Sequence, residues 1–400
     1  MRVMMLSWDF PPRTTGGTAA HVAGLSEGLS RAGHEVVVIT IAAKAAELKA
    51  KQPESIRVIR TLVDLPWLPP SDPIARTASA NHAATKVGAR LSGELEGWKP
   101  DIVHGHDWRL GWAADTLASL YDVPFVLTMH GTERVRHGGQ LPAGVPTDIS
   151  SIEWWLAFQA DKMIAPTRFI VEQLVTGFEL SPDHVVHIPN GIDPELWGPA
   201  SANHEAPEPA GAERSPLVVS WGRVKYEKGF QVLARAIHAL RGRVPEVHGV
   251  IAGRGRYLPE LQTQIDVEGV SDIIDLPGFL RDNELRKLVH RASCVVIPSL
   301  YEPFGIVALE ALAAGAPLVV ANTGGLAELI EGTNAGVTFE PGNPDDLADA
   351  IERILTDDQL ADRLRTNARS LVEQKYAWDA IATATAAVYT NVERGPGIQR

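Results

Sequence analysis

The chain has 400 residues, which is enough for two or three domains of ordinary size. Its hydrophobic share of 45% and charged share of 22% are close to globular averages, so they exclude a disordered or fibrous protein. With 37 basic and 49 acidic residues the formal net charge is −12, which argues against broad binding to nucleic acid or anionic lipid. We therefore expect a soluble, folded chain in which any phosphate site is local.

The cysteine count and the length of the apolar runs bear on the compartment in which the protein works. The single cysteine, Cys294, lies in the apolar run CVVIP, so an intramolecular disulfide and a cysteine-based zinc site are excluded. The N-terminal string MRVMMLSWDFPP has too short an apolar run for a secretory signal, and VVVITIAA at 36–43 is far below the roughly 18 apolar residues of a membrane span. We expect a cytoplasmic protein without a transmembrane segment, and peripheral contact with a membrane is left open.

The first half of the chain alternates short aliphatic runs with segments of helical period. This pattern is typical of parallel sheets covered by helices on both faces. Strands are predicted at 2–6, 35–39, 101–104, 125–129, 162–165 and 185–188, and helices at 21–32, 110–121 and 168–177. The pattern predicts one doubly wound domain at residues 1–197.

A second domain is predicted after a proline-rich segment. Residues 198–216 carry four prolines and no aliphatic side chain larger than alanine, which indicates an exposed linker. Strands are then predicted at 217–220, 247–251, 273–276, 294–297, 318–321 and 337–339, with helices at 229–241, 282–290, 306–314, 344–355, 358–374 and 378–393. We predict an α/β fold of two Rossmann-like domains that face each other across a cleft, the second at 198–377, followed by a terminal helix within 378–400.

The string SWGRVKYEKGF at 220–230 is the first candidate binding motif. It places Arg223 and Lys228 in a loop between a strand end and a helix that begins near Gly229. A helix N-terminus carries a partial charge of about +0.5, and hydrogen bonds to charged groups contribute roughly 1.5–3 kcal/mol each. The pattern predicts a site for phosphate, with a solvated basic turn as the alternative.

The string SLYEPFGIVALEALAAG at 299–315 is the second motif. It follows a predicted strand and opens a helix near Ile306, where Phe304, Gly305 and Ile306 offer backbone N–H groups. Glu302 and Glu310 are eight residues apart, just over two turns at about 3.6 residues per turn. Beside a phosphate site, these carboxylates suit the hydroxyls of a sugar nucleotide, Glu302 for the sugar and Glu310 for the ribose.

Five strings in chain order carry a resemblance to a known family. They are the Gly16–Gly17 loop, HGHDW at 104–108, TMHG at 128–131, GR followed by KG within 222–229, and EPFGIVALE at 302–310. Together they resemble the retaining glycosyltransferases of the GT-B fold and family 4, which include bacterial glycogen synthases. The resemblance covers nearly the whole chain, and it implies that the last helix returns to the N-terminal domain.

The resemblance also implies a role for each matched residue. Arg223 and Lys228 would hold the donor diphosphate as leaving group, Glu302 the transferred sugar and Glu310 the ribose, near the backbone of residues 304–306. In the first domain, Gly16 and Gly17 would lie against the diphosphate. His130 would contact the donor sugar at its anomeric carbon, and Asp107 would lie near the acceptor.

The expected reaction is metal-independent transfer of glucose from ADP-glucose or UDP-glucose to an α-1,4-glucan or related carbohydrate acceptor. No two aspartates are separated by a single residue, so the DxD metal motif of the other main glycosyltransferase fold is absent, and no cofactor or metal is expected. The glucan acceptor is favoured by HGHDW and by IEWW at 152–155. Trp108 is the tryptophan that we expect to act on a sugar.

Several alternatives remain open on the sequence. A small phosphosugar or a glycolipid could replace the glucan, because Thr14 stands where the synthases commonly carry lysine. Other enzyme classes are a sugar-nucleotide epimerase, a metal hydrolase that uses His104 and His106, and a dehydrogenase that uses the GxG of AGRGRYLPEL at 252–261. A non-catalytic sugar-binding protein is the last alternative.

Overall fold

The computed structural model describes residues 1–13, 17–63, 65, 67–68, 71–198 and 216–395. Thr14, Gly16 and nearly all of the predicted linker lie outside the described residues. The chain forms two compact units, one of Met1–Gly191 with Trp378–Arg400 and the other of Ile192–Ala377. The predicted domain boundaries lay after residues 197 and 377, whereas contacts divide the chain after residues 191 and 377.

The first unit is built on a parallel sheet in the order β3-β2-β1-β4-β5-β6-β7. Most of these strands are buried along nearly their whole length, because helices cover both faces of the sheet. The strands are β1 (Arg2–Ser7), β2 (Glu35–Ile41), β3 (Arg57–Thr61), β4 (Ile102–His106), β5 (Phe125–Thr128), β6 (Lys162–Ala165) and β7 (Val185–His187).

Helices of the first unit connect and cover these strands. They are α1 (Gly17–Arg31), α2 (Pro73–Gly88), α3 (Leu91–Glu94), α4 (Gly111–Tyr121), α5 (Glu133–Arg136), α6 (Val145–Gln159), α7 (Arg168–Gly177) and, at the end of the chain, the helix Trp378–Asn391. Short 3-10 turns lie at Ala45–Lys49, Trp108–Leu110 and Pro182–His184.

The helix Trp378–Asn391 packs against α1 through small residues. A Cβ atom added at Gly24 would lie 2.1 Å from the Trp378 ring, so only glycine admits that ring at this position. Gly28 lies against the backbone of Trp378, and Arg31 forms an ion pair of 2.7 Å with Asp379. The end of the chain is therefore part of the first unit's core.

The second unit has its own parallel sheet, in the order β10-β9-β8-β11-β12-β13. The strands are β8 (Leu217–Trp221), β9 (His248–Ala252), β10 (Ile274–Gly278), β11 (Cys294–Ile297), β12 (Leu318–Ala321) and β13 (Val337–Phe339). The helices are α8 (Pro194–Trp197), α9 (Phe230–Leu240), α10 (Leu258–Val267), α11 (Asp282–Arg291), α12 (Ile306–Ala313), α13 (Gly324–Ile330), α14 (Pro344–Thr356) and α15 (Asp358–Leu371). A 3-10 turn lies at Tyr226–Lys228 and a π-helical turn at Val372–Tyr376.

The predicted α/β fold of two Rossmann-like domains is confirmed. Each of the twelve predicted strands is present, with ends that differ by no more than two residues. The strand β3, the helices α2, α6 and α10 and the short helices α3, α5 and α8 were not predicted. Among the described residues, no helix is both long and apolar enough to cross a membrane.

Candidate active site

Both sheets have the topology that places a ligand site at one edge. The strand order reverses between β1 and β4 in the first unit and between β8 and β11 in the second. Ligands of open α/β sheets bind outside the carboxyl ends of the strands at such a reversal. The predicted residues of the second unit follow β8 and β11, and Asp107 and His130 follow β4 and β5.

The loop after β8 carries the two predicted phosphate-binding cations. Arg223 is exposed, and Lys228 ends the 3-10 turn that leads into α9. Gly229 follows with φ +70°, and a Cβ atom there would lie 1.8 Å from the carbonyl oxygen of Pro298. Both the positive φ and the close contact with Pro298 require glycine at this position. The glycine allows the turn that ends at Lys228 to lie directly against the segment that follows β11.

The GxG of AGRGRYLPEL supports this loop. A Cβ atom at Gly253 would lie 1.9 Å from the Gly222 carbonyl oxygen, and one at Gly255 would lie 1.9 Å from the Val224 carbonyl oxygen. The Val224 N–H donates to the Arg254 carbonyl at 2.9 Å. These glycines therefore serve backbone packing next to Arg223, which accounts for the motif without a dinucleotide.

Lys228 and Glu302 form an ion pair although they are 74 positions apart. Their side chains are only 20% and 13% exposed, so the pair is poorly screened by water. The Ser299 hydroxyl lies 3.4 Å from the same carboxylate oxygen. The structure thus brings together the two motifs that the sequence analysis treated separately.

Glu310 lies partly buried on α12, which is otherwise apolar. The Trp221 indole N–H donates to its carboxylate at 3.1 Å. Burial raises the pKa of Glu310 to about 7, against the lowering effect of the Trp221 hydrogen bond. The residue is therefore not a solvated helix side chain, and its charge changes near neutral pH.

The predicted backbone donors lie at the start of α12. Gly305 is the N-cap, with φ +94°, and a Cβ atom there would lie 2.4 Å from the Leu326 side chain. Phe304 is buried and Ile306 is the first helical residue. The N-terminus of α12 follows Glu302 by four residues, so the helix dipole favours an anion close to the Lys228 ion pair.

Arg223 also lines a pocket of about 580 Å³ in the second unit. Its wall contains four cations and two carboxylates, which leaves a positive excess: Arg223, Lys225, Arg254, Arg256, Glu227 and Glu260. Tyr226 and Tyr257 add two aromatic rings in a T-shaped arrangement, with centroids 5.6 Å apart. Cations beside aromatic faces suit an anionic ligand that also carries rings.

Asp107 has a strained backbone at the end of β4. Its φ of +57° and ψ of 178° lie in a region that residues other than glycine rarely adopt. The carboxylate accepts a hydrogen bond of 2.8 Å from the His130 backbone N–H. Burial raises the pKa of Asp107, while Arg136 lowers it. Strain of this kind concentrates at functional sites, where surrounding contacts maintain it.

Four histidines gather beside Asp107. His104 is hydrogen-bonded at both ring nitrogens, to Tyr389 at 2.6 Å and to Thr128 at 2.7 Å. The His106 Nδ1 and His130 Nε2 atoms are 3.4 Å apart, and the His21 and His130 ring centroids are 4.5 Å apart.

These histidines are neutral near pH 7 because they are removed from water. Burial lowers the pKa of His21, His104 and His106 well below the ordinary value, and it lowers the pKa of His130 to about 4. The two hydrogen bonds of His104 give this residue a structural role, which speaks against the alternative in which His104 and His106 are a pair of metal ligands.

Glu153 of α6 is fully buried in the same unit. Its Oε2 atom accepts from the Glu133 backbone N–H at 2.8 Å, and its Oε1 atom is 3.9 Å from the Arg136 guanidinium. Burial raises the pKa of Glu153 to about 8. Arg136 in turn forms a 2.8 Å ion pair with Glu133. The sequence analysis missed this group, although IEWW contains it.

Two other expectations concern single residues. Trp108 is only 3% exposed, so the expectation that it offers an aromatic face to a sugar is wrong. Trp154 on α6 is 45% exposed and lies against Phe158, with ring centroids 4.7 Å apart. Gly17 is the first residue of α1, while Gly16 lies outside the described residues.

The fold is a pair of Rossmann-like α/β units with charged residues beyond the carboxyl ends of their strands, and comparisons with known proteins give the family. A model described as Glycosyltransferase Family 4 matches residues 15–196, and one described as Glycosyl transferases group 1 matches residues 203–371. The glycogen synthase of Mycobacterium tuberculosis is 36% identical over 403 residues, which cover 99% of this chain and 96% of that protein. The alpha-maltose-1-phosphate synthase of the same organism is 28% identical, over 98% of this chain and all of that protein (100%).

A solved structure agrees with the fold. Sucrose-phosphate synthase from Thermosynechococcus elongatus superimposes with a TM-score of 0.79 at 23% identity, covering 97% of this chain and 98% of the other. The chain belongs to the family 4 glycosyltransferases and has the GT-B fold. The epimerase, hydrolase and dehydrogenase alternatives are therefore set aside.

Proposed function

We propose that the protein is a retaining glycosyltransferase that moves glucose from ADP-glucose or UDP-glucose to an α-1,4-glucan or a related oligosaccharide. The Lys228–Glu302 ion pair at the N-terminus of α12 carries the proposal, because it joins a phosphate-binding cation to a sugar-binding carboxylate. The glucan acceptor is supported by the 36% identity to a protein named glycogen synthase over nearly the whole of both chains.

The donor residues have separate tasks in this proposal. Arg223 and Lys228 hold the diphosphate and stabilise its charge as the glycosidic bond to it breaks. Glu302 accepts hydrogen bonds from the sugar hydroxyls, Glu310 from the ribose hydroxyls, and the backbone at Gly305 binds an oxygen anion. The positive pocket beside Arg223 supports an anionic donor.

The residues of the first unit act on the sugar and the acceptor. His130 contacts the transferred glucose, and Asp107 fixes the His130 backbone through their 2.8 Å hydrogen bond. Gly17, at the start of α1, lies against the diphosphate. The acceptor attacks the anomeric carbon on the side from which the diphosphate leaves, so the anomeric configuration is retained. We propose that the cations at the diphosphate replace a metal ion, and that the enzyme acts in the cytoplasm.

A phosphorylated acceptor is the second candidate. Arg13 and Arg109 lie on the Trp8 ring at 5.3 and 5.0 Å, and Arg109 and Arg136 act electrostatically on Asp107. Arg13 is paired with Asp9 at 2.9 Å and Arg136 with Glu133 at 2.8 Å, so a phosphate on the acceptor would share these cations with the two carboxylates. One relative is named alpha-maltose-1-phosphate synthase, which makes a phosphosugar acceptor a specific alternative to the glucan. A glycolipid acceptor is tested in the same way.

A donor and acceptor screen tests the proposal. Purified protein is incubated with ADP-glucose, UDP-glucose or GDP-mannose, each with maltooligosaccharides, with glucose 1-phosphate, with a glycolipid extract or with no acceptor. Release of nucleoside diphosphate that depends on maltooligosaccharide, with longer glucan products, supports the proposal and names the donor. Release of nucleoside diphosphate that depends on glucose 1-phosphate or on lipid shows that the acceptor is a phosphosugar or a glycolipid instead of a glucan. Activity that is lost in chelator and restored by magnesium or manganese contradicts metal independence.

A further inference from the structure

Three histidines of the first unit form a compact group of nitrogen ligands. His21 comes from α1, His106 ends β4, and His130 follows β5. One ring nitrogen of each lies within 4.8 Å of a ring nitrogen of the other two. Three separate elements therefore direct imidazoles to one point of the carboxyl edge of the sheet.

One of the nitrogen–nitrogen distances matches that of a tetrahedral metal site. Zinc–nitrogen bonds of about 2.0–2.1 Å at tetrahedral angles place two ligand nitrogens about 3.3–3.4 Å apart. The His106 Nδ1 and His130 Nε2 atoms are 3.4 Å apart. His21 stands edge-on to both rings, at centroid distances of 4.5 Å from His130 and 5.4 Å from His106. One ring nitrogen of His21 lies within 4.8 Å of the ligand nitrogens of the other two histidines.

The hydrogen bonding of the group also points to a ligand. His21 is 4% and His106 is 1% exposed. Within the described part of the chain, neither nitrogen of His21 nor the Nε2 of His106 makes a hydrogen bond of normal geometry, although the Asn190 side chain, acting against burial, raises the pKa of His21. A buried polar atom without a partner destabilises the folded chain. A bound cation would give one of the His21 nitrogens a partner.

The donor set selects the class of cation. Three neutral imidazoles favour zinc, cobalt, nickel or copper over magnesium and calcium, which prefer oxygen. The nearby Asp107 carboxylate already accepts a hydrogen bond from the backbone N–H of His130. The only cysteine, Cys294, belongs to the other unit and adds no sulfur ligand. His104 packs against His106, with ring centroids 4.3 Å apart, and its own two hydrogen bonds hold it in place.

We propose that His21, His106 and His130 bind one zinc ion, with the fourth coordination position open. A further consequence rests on the proposed function, in which His130 contacts the transferred sugar. A zinc ion bound to His130 uses the lone pair of its ring nitrogen and occupies the space of the transferred sugar. Zinc therefore inhibits transfer instead of supporting it. The site is thus an inhibitory zinc site in an enzyme whose chemistry needs no metal.

Metal binding is measured directly, with Co²⁺ and Zn²⁺ alone as probes. Protein freed of its affinity tag and of metal is titrated with Co²⁺, and the visible absorption of tetrahedral cobalt is recorded. We expect one Co²⁺ per chain and loss of the absorption when Zn²⁺ is added. Absence of this absorption, together with no heat of Zn²⁺ binding in calorimetry, overturns the proposal.

Variants assign the ligands. His21→Gln, His106→Gln and His130→Gln are each expected to weaken Zn²⁺ binding about 100-fold or more, whereas His82→Gln, at an exposed position, leaves it unchanged. Far-UV circular dichroism shows that each variant folds. If a glutamine variant fails to fold, His21→Asn or His106→Asn replaces it. The Zn²⁺-dependent rise in the melting temperature of the wild type gives a second readout of binding. Equal Zn²⁺ affinity in the wild type and all three variants overturns the site.

The inhibition test separates the two proposals. Transfer by the wild type is expected to fall at Zn²⁺ concentrations that load the site and to recover when a chelator is added. Metal binding with the expected variant pattern but with no loss of transfer keeps the zinc site and contradicts the role of His130. Transfer without any metal binding keeps the proposed function and overturns the zinc site.

Discussion

Glu153 offers a quantitative test of the burial in the first unit. Its ordinary pKa is 4.5, and burial raises it to about 8 in the folded chain. Between these values the unfolded chain has released the proton and the folded chain has kept it. Unfolding therefore releases a proton, so Glu153 makes the free energy of unfolding fall as the pH rises from about 4.5 to about 8.

Glu153→Gln removes this dependence and keeps a carbonyl oxygen for the Glu133 N–H. One pKa unit corresponds to about 1.4 kcal/mol. From about pH 6 to about pH 7.5 the variant is therefore expected to gain about 2 kcal/mol over the wild type in free energy of unfolding. For a unit of this size, that corresponds to a relative rise in melting temperature of about 4–8 °C.

Differential scanning calorimetry of both proteins over this pH range measures the difference, because it resolves transitions of separate units. Glu54→Gln, at an exposed position, is the matched control and is expected to show no pH-dependent difference. A difference between Glu153→Gln and the wild type that stays constant with pH would refute the reasoning. Glu153 would then be ionised in the folded chain, held by Arg136.

Three further predictions concern the second unit. Lys228→Ala and Glu302→Ala are each expected to lower the rate of transfer at least about 1,000-fold without unfolding the protein. Each variant leaves one partner of a partly buried ion pair alone in the proposed donor site. Near-wild-type turnover in either variant contradicts the site. Donor affinity, measured by calorimetry, is expected to fall as the pH drops below about 7 and Glu310 gains a proton. In Glu310→Gln the donor affinity is expected not to depend on pH. If the affinity of this variant depends on pH as in the wild type, another group causes the dependence. Gly229→Ala is expected to lower the free energy of unfolding of the second unit by about 2 kcal/mol or more in urea. Gly269→Ala, with a similar φ of +68° and no atom within 4 Å, is expected to lower it by only about 1 kcal/mol. Equal losses would show that the contact with Pro298 does not destabilise the variant.

The sequence alone determined the fold class, and the reason is the burial of its strands. In a parallel sheet covered on both faces most strand residues are apolar, so runs such as VVVI stand out from their surroundings. The strand β3, with the sequence RVIRT, lies at the sheet edge and is only partly buried, so its polar residues hid it. Helix α2 is rich in small residues and shows no clear apolar period, which explains why it was missed.

The sequence also indicated the positions of the candidate residues of the second unit, since Arg223, Lys228 and Glu302 lie between a strand and the helix that follows it, and Glu310 lies within the next helix. Only the tertiary structure decided which groups meet and which are removed from water. The Lys228–Glu302 ion pair joins residues 74 positions apart.

The first unit depended still more on the tertiary structure. A histidine in GTAAHV gives no local signal, and His21 reaches His106 and His130 only because three elements end at one edge of the sheet. The pKa of Glu153 likewise follows from burial, a property of the packed core. Local pattern reports secondary structure, whereas contact between distant residues and loss of solvent arise only when the elements pack.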